Sequence, residues 1–369
     1  MKRPSKILLA AGYCLLVLLL FKGIKLFESG AKEAYFSSIT RHLVARASCV
    51  PPDKCLLGIY KPELPYSFEP LQQLEDSLGM RSTIISLYQT WGDRPEDRFQ
   101  PALMNAIIAR GRVPMITWEP WVTQFSDSTL KPLSQREHRY LKDIGEGRYD
   151  FYLREWARAA VSWGKPFFLR FAHEMTNPQY PWSYVNENRP DDYIHAWWHV
   201  HALFDSLGAK NVLWVWSPYR PGTLNYYPGH AYVDWLAMDI FNYGDLQNDN
   251  SRGLRWMSFD QLASPFYREF SALKKPIMVA EAGCSDMGGN REVWYREMIE
   301  QIGTKFSAVK MLVLFDNPAD RTSRSQAIDW SIDGSSEITT EMKNTLLQGH
   351  FLFIKDYDKI LNADNKRRR

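Results

Sequence analysis

Phe167-Phe168-Leu169-Arg170-Phe171-Ala172-His173-Glu174-Met175 and Pro276-Ile277-Met278-Val279-Ala280-Glu281-Ala282-Gly283 are two apolar runs that each close on a glutamate. A carboxylate at the end of a buried strand costs free energy unless it is paired or used. Six further short apolar runs surround these two in sequence: Leu56–Tyr60, Thr83–Leu87, Val113–Trp118, Asn211–Trp216, Trp235–Ile240 and Val309–Phe315. The opening pair supplies Pro166–Phe171 and Pro276–Ala280. Several are apolar at nearly every position, as strands covered on both faces must be. Amphipathic stretches lie between them, among them Tyr152–Trp163, Tyr193–Leu207, Phe266–Leu273 and Glu292–Ile302, and residues 334–361 read as a closing helix. Gly164-Lys165-Pro166, Gly208 and Lys275-Pro276 break helices where strands must begin. Eight β/α units predict a (β/α)8 TIM barrel. An open doubly wound sheet would carry a glycine-rich phosphate loop after its first strand, but that strand ends Gly58-Ile59-Tyr60-Lys61-Pro62.

In a barrel the C-terminal ends of the strands share one opening. Glu174 ends the fourth strand and Glu281 the seventh, so both are expected at that mouth. Two carboxyl groups facing one pocket meet the needs of glycosidic cleavage: a proton for the leaving oxygen and negative charge at the anomeric carbon. His173 and Arg170 beside Glu174 provide crowding that holds one carboxyl protonated while the other stays ionised. A lone strand-end glutamate would read as a salt bridge; two on matching strands do not.

The chain has 369 residues, 45% hydrophobic and 24% charged, enough for a large core. Its net charge of +3 is too small to argue for nucleic acid, and part of it belongs to the tail Lys366-Arg367-Arg368-Arg369. No Cys/His cluster has metal-ligand spacing, and no cofactor is implied. The 14 Trp and 19 Tyr exceed what a core requires, and aromatic rings stack on the apolar faces of sugars. Trp182 and Trp121 stand in proline-marked polar loops and read as stacking platforms. Trp118, Trp216, Trp91 and Tyr243, at or just after strand ends, are further substrate-binding candidates with a core role as the alternative. Asp239 ends strand six, placed to orient a neighbour or to satisfy loop backbone donors.

Lys2, Arg3 and Lys6 precede the apolar run Ile7–Phe21, and Lys22 and Lys25 follow it. This is the pattern of a signal-anchor or of a cleaved signal peptide. The expected organisation is residues 1–27 as that segment, 28–55 as a stalk or linker, 56–362 as the barrel and 363–369 as a basic tail. The barrel is expected outside the cytoplasm, membrane-anchored if the segment is retained and secreted if it is removed. Cys49 and Cys55 flank a short loop and are a disulfide candidate, with two free thiols the alternative. Cys284 reads as packing.

Arg170-Phe171-Ala172-His173-Glu174-Met175 with Pro181-Trp182 resembles the strand-four signature of glycoside hydrolase family 26, the β-mannanase family. Val215-Trp216-Ser217-Pro218, Tyr226-Tyr227-Pro228-Gly229, Tyr232-Val233-Asp234-Trp235 and Lys275–Cys284 resemble its later segments, and the likeness runs from about Leu56 to Asp333. The resemblance implies a retaining endo-acting β-glycanase with a polysaccharide substrate. Glu174 would be the acid/base and Glu281 the nucleophile; His173 would touch the sugar and Trp182 would form part of the cleft. The sequence departs from the family pattern in four places. Thr176-Asn177 replaces Asn-Gly, and Tyr219 replaces an asparagine. Phe241 stands where a tyrosine bonds the nucleophile, and a tryptophan is missing near Val313-Leu314-Phe315. These changes weaken the case for mannan and keep open a non-catalytic carbohydrate-binding barrel in polysaccharide synthesis or export.

Overall fold

The computed structural model describes residues 54–244, 255–321, 327–348 and 350–352. The apolar N-terminal segment, the stalk with Cys49, and the basic tail lie outside the described residues. Among the described residues no helix is long and apolar enough to cross a membrane.

Eight parallel strands form the centre: β1 (Cys55–Tyr60), β2 (Ile84–Thr90), β3 (Val113–Glu119), β4 (Phe167–Phe171), β5 (Val212–Trp216), β6 (Trp235–Asn242), β7 (Ile277–Cys284) and β8 (Val309–Phe315). Each pairs with the next, and β1 pairs with both β2 and β8, so the sheet closes. All eight apolar runs of the sequence are strands. Around them stand α1 (Glu69–Leu78), α2 (Pro101–Ala109), α3 (Asp150–Trp163), α4 (Pro190–Ser206), α5 (Phe259–Ser271), α6 (Arg291–Gly303) and α7 (Ser336–Leu346). The result is a (β/α)8-type barrel.

The structure corrects three details of that expectation. The β5–β6 crossover holds only the short 3-10 turns Leu224–Tyr226 and His230–Tyr232. Pro218, Pro221, Gly222, Pro228 and Gly229 crowd this stretch and deny it an α-helix. α5 starts at Phe259 rather than after Pro265, because Ser258 and Gln261 form a reciprocal capping box. The expected closing helix over 334–361 is helical only as α7. A short strand, β9 (Phe351–Leu352), then pairs with the start of β1. The β1–β2 register begins at Gly58, so Cys55 and Leu56 have an open edge, and β9 covers it.

The barrel interior is a dry cluster that includes Leu56, Ile84, Met115, Phe168, Trp235 and Met278. A larger apolar layer lies between sheet and helices. Alternation from inward Met278 would point Glu281 at the helices, since a strand has period two. Instead Met238 pairs with Val279 and the next residue, Asp239, pairs with Glu281. The extra residue on β7 restores the phase and sets Glu281 beside Asp239 at the mouth.

Gly58 is where the interior is tightest: a Cβ there would come within 2.9 Å of Val313 Cγ2 and 3.0 Å of Ile84 Cβ. Gly58→Ala is therefore expected to destabilise the fold by about 1–3 kcal/mol, the usual cost of overpacking. Urea unfolding would measure it; an unchanged midpoint would show that β1 and β8 shift freely.

Candidate active site

Arg170 follows Phe168 by two residues on the inner face of β4, so it points into the barrel above the apolar plug. Its side chain is fully buried. Nη1 donates to Asp239 Oδ1 at 2.8 Å and to Ser217 Oγ at 3.4 Å, and Nε donates to Thr117 Oγ1 at 3.0 Å. Nη2 donates to Glu281 Oε1 and, at 3.3 Å, to the Tyr88 hydroxyl. Tyr88 in turn donates to the same Glu281 oxygen. One buried cation thus holds carboxylates from β6 and β7, a serine from the end of β5, and residues of β2 and β3.

β4 ends in a strained turn. Ala172 has φ 43° and Glu174 φ 49°, left-handed values that side chains other than glycine rarely adopt. The turn is held by Glu174 N–H to Ser217 O at 2.6 Å and by Asn177 N–H to Glu174 O at 2.7 Å. Asn177 Nδ2 also donates to Glu174 Oε2 at 2.6 Å. His173 is buried, with Nε2 3.1 Å from the Tyr180 hydroxyl. Trp182 Nε1 donates to the His173 carbonyl at 2.6 Å. Strain of this kind persists only where surrounding contacts over-determine it, and it concentrates at functional sites.

Burial, and then the charges of Asp239 and Glu281, push the Glu174 carboxyl well above its ordinary range. A carboxyl so raised keeps its proton to a higher pH than an ordinary glutamate. Burial raises Asp239 to about 7 against the pull of Arg170, and Glu174 shares a hydrogen bond with it. Burial also raises Glu119 to about 7, opposed by the Trp121 N–H at 3.1 Å. His173 falls well below its usual value through burial and the nearby Arg170, so its ring is neutral.

These groups open into a cavity of about 180 Å³ at the C-terminal ends of the strands. Glu174 and Glu281 both line it, with Glu119, Asn177, Tyr180 and Asp320. Tyr60, Tyr88, Phe241, Tyr243 and Phe315 form an aromatic side, and Trp330 packs behind Phe241 at 4.9 Å. A larger recess, about 730 Å³, lies in the helical layer among Phe68, Glu75, Arg110 and Leu347, away from these carboxylates.

The family model for glycosyl hydrolase family 26 matches residues 152–330. Endoglucanase H of Acetivibrio thermocellus is 32% identical over 290 residues, which are 76% of this chain and 29% of that protein. The chain belongs to glycoside hydrolase family 26. The mannan endo-1,4-beta-mannosidase A and B of Caldalkalibacillus mannanilyticus is 30% identical over 152 residues, 39% of this chain and 26% of its own length. The chain therefore spans less than a third of each of these curated relatives. The solved GH26 beta-mannanase of Bacteroides ovatus shares the fold with a TM-score of 0.60 at 14% identity, over 89% of this chain and 95% of its own.

Within this family 26 barrel the aromatic candidates divide. Trp118 is fully buried among Trp91, Tyr152 and Trp156 on the helix side of the sheet, so it is core and not a sugar platform. Trp216 is core as well, packed on Tyr227 and Phe270. Both occupy strand positions whose phase faces outward. Trp182 is also wholly buried; it stacks on Tyr180 at 4.4 Å and 11° and backs the cleft instead of surfacing it. Trp121 is half-buried, edge-on to Trp182 and bonded to Glu119. Tyr243 lines the cavity, and Asp239 is bound to Arg170 rather than to loop backbone. Cys55 is a free thiol buried at the start of β1, and its candidate partner Cys49 lies outside the described residues. Cys284 is buried, with its thiol pushed up to about 12, as packing requires.

The sequence reading missed Tyr60, Tyr88, Glu119, Tyr180, Phe315 and Asp320. Tyr88 and Glu119 carried a usable signal: each lies on a strand just past its apolar stretch, Tyr88 two residues before the end of β2 and Glu119 at the end of β3. The missing strand-eight tryptophan has a local counterpart in Trp330, which donates to Asp320 at 2.9 Å.

Replacing Arg170 with Met should cost about 3–5 kcal/mol at neutral pH, because it strands two buried carboxylates without a countercharge. The deficit should shrink as pH falls towards about 4, where protonation removes that charge. Denaturant titrations at the two pH values test this; a pH-independent loss would mean that only packing was lost.

Proposed function

We propose that this family 26 member is a retaining endo-β-glycosidase that cleaves internal linkages of a polysaccharide. The observation that carries the reading is the opposed electrostatics of two glutamates in one cavity: burial and neighbouring charges push the Glu174 carboxyl well above its ordinary range, while Glu281 is bound by a guanidinium and a hydroxyl. Such a pair supplies an acid and a nucleophile at one pH. In the first step a Glu281 oxygen bonds the anomeric carbon. The bond to the leaving oxygen breaks, and that oxygen takes the Glu174 proton. In the second, water attacks the same carbon, gives its proton to Glu174, and the glycosyl ester bond breaks to restore the Glu281 carboxylate. Neutral His173 can donate or accept a hydrogen bond towards a sugar hydroxyl without adding charge.

Among the described residues the cavity is lined by four carboxyl groups, Glu119, Glu174, Glu281 and Asp320, and by no lysine or arginine. That favours a neutral glycan over a uronate polymer, which would be repelled. The relatives named above as an endoglucanase and a mannan mannosidase make β-glucan and mannan the first substrates to try. The basic-then-apolar sequence of residues 1–27 supports a barrel held at, or exported across, a membrane. From there it would act on polysaccharide at the cell surface.

Reducing-end assays on mannan, mixed-linkage β-glucan, β-1,3-xylan and the source cell's exopolysaccharide identify the substrate. On it, Glu281→Gln and Glu174→Gln are each expected to lose orders of magnitude in kcat. A 2-deoxy-2-fluoro glycoside should leave a covalent adduct on Glu281, seen by peptide mass. Glycan binding with no adduct and no turnover would make the barrel a carbohydrate-binding module instead.

The pH profile follows from the state of Glu174. The acid is competent while protonated, so kcat/KM should decline as pH rises through its elevated pKa. With a dinitrophenyl leaving group, which needs no proton, that alkaline decline should flatten in Glu174→Gln. A decline of equal size in the variant would assign it to another group.

A further inference from the structure

Phe241 stands two residues beyond Asp239 on β6 and pairs with Gly283, two residues beyond Glu281 on β7. Its ring is wedged against Phe315 at 5.2 Å and Trp330 at 4.9 Å, and over Gly283, where a Cβ would approach it to 2.9 Å. It offers Glu281 no hydrogen-bond donor. The donor that reaches the carboxylate comes from the other side of the mouth. β2 is separated from β7 by β8 and β1, yet the Tyr88 hydroxyl donates to Glu281 Oε1.

We propose that Tyr88 is the positioning residue for Glu281. It also selects Oε2 as the oxygen that attacks the anomeric carbon. This rests on the hydrolase reading for its chemistry, but the Tyr88–Glu281 link itself does not. Tyr88 and Arg170 Nη2 both donate to Oε1, and Oε2 accepts no hydrogen bond among the described residues. A carboxylate pinned by one oxygen presents the other. After Oε2 has bonded the anomeric carbon, Oε1 is the carbonyl oxygen of the glycosyl ester. The same two donors then stabilise the charge that returns to the carboxylate when water releases the sugar.

The ring that carries the hydroxyl is held on three sides: edge-on to Tyr60 at 4.9 Å, to Phe315 at 6.4 Å and to His173 at 6.0 Å. The Arg170 guanidinium supports its oxygen at 3.3 Å. Burial and the Glu281 charge keep the phenol un-ionised, so it remains a donor. Such fixing of a nucleophile by groups whose own positions are packed is what preorganisation requires.

Three proteins test the proposal: wild type, Tyr88→Phe, and Tyr88→Phe with Phe241→Tyr. The first readout needs no activity. In protein labelled with 13C at glutamate carboxyls, the Glu281 signal is assigned by its loss in Glu281→Gln. The groups facing this carboxylate are Arg170 on β4, Asp239 on β6, Tyr88 on β2, Tyr60 on β1, Glu119 on β3 and Glu174 beyond β4. All but Tyr88 are the same in wild type and Tyr88→Phe. Removing one charge-assisted donor should move the Glu281 carboxyl 13C resonance at neutral pH while the other glutamate signals stay in place. On the glycan that wild type cleaves best, kcat should fall about tenfold or more with KM little changed. Phe241→Tyr should restore part of that loss by supplying a donor from β6. An unmoved Glu281 resonance with kcat within about twofold of wild type would overturn the proposal and leave Tyr88 as cleft wall. A shifted resonance in a protein that cleaves no glycan and takes no fluorosugar label would keep the link and remove the hydrolase reading.

Discussion

The site depends on one buried cation. Arg170 lies inside a barrel whose lower half is apolar, and a guanidinium there is tolerable only if its donors are satisfied. They are, by groups from five other strands or strand ends, and this fixes more than the arginine. The arginine sets the spacing of β4 from β6 and β7 at the mouth, where otherwise three carboxyl groups would repel each other. Guanidinium suits the task better than ammonium, because a planar fork can serve Asp239 and Glu281 on separate nitrogens.

The same cation divides the labour of the glutamates. Glu281 receives a charged guanidinium N–H; Glu174 receives only the neutral amide of Asn177, and it feels the charges of Asp239 and Glu281 through a desolvated medium. Identical side chains thus meet opposite environments within one small cavity. Asp239 is the intermediary: it binds Arg170 and shares a hydrogen bond with Glu174. A change at Asp239 therefore reaches both glutamates.

Much of this was legible in the residues, and the limits have physical causes. Parallel strands covered on both faces must be apolar, so all eight were visible as runs, and Glu174 was visible as a charge closing one of them. Glu281 was visible by type but not by direction. Counting alternation from Met278 turns it outward, and only the register shift on β7 turns it in. The tryptophans misled for a related reason. Trp118 and Trp216 sit at strand ends near the mouth, but their phase sends them into the helical layer, where an indole fills volume. A helix between β5 and β6 was assumed from the repeat, while the local prolines and glycines argued against it. Tyr88 went unseen because its partner is 193 residues away, and no local pattern encodes a contact across a barrel.

Two of the departures from the family pattern, Phe241 and the strand-eight end at Phe315, are also connected in space. Phe241, Phe315 and Trp330 pack together, with Tyr60, Tyr88 and Tyr243 against them, as one small aromatic cluster on the Glu281 side of the cavity. Exchanging a tyrosine for phenylalanine on β6 removes a hydroxyl that would otherwise need a partner in this cluster. The hydroxyl that Glu281 requires then enters from β2, where Arg170 can also satisfy it. The wall on this side of the cavity is thus largely apolar, with one phenol aimed at the Glu281 carboxylate.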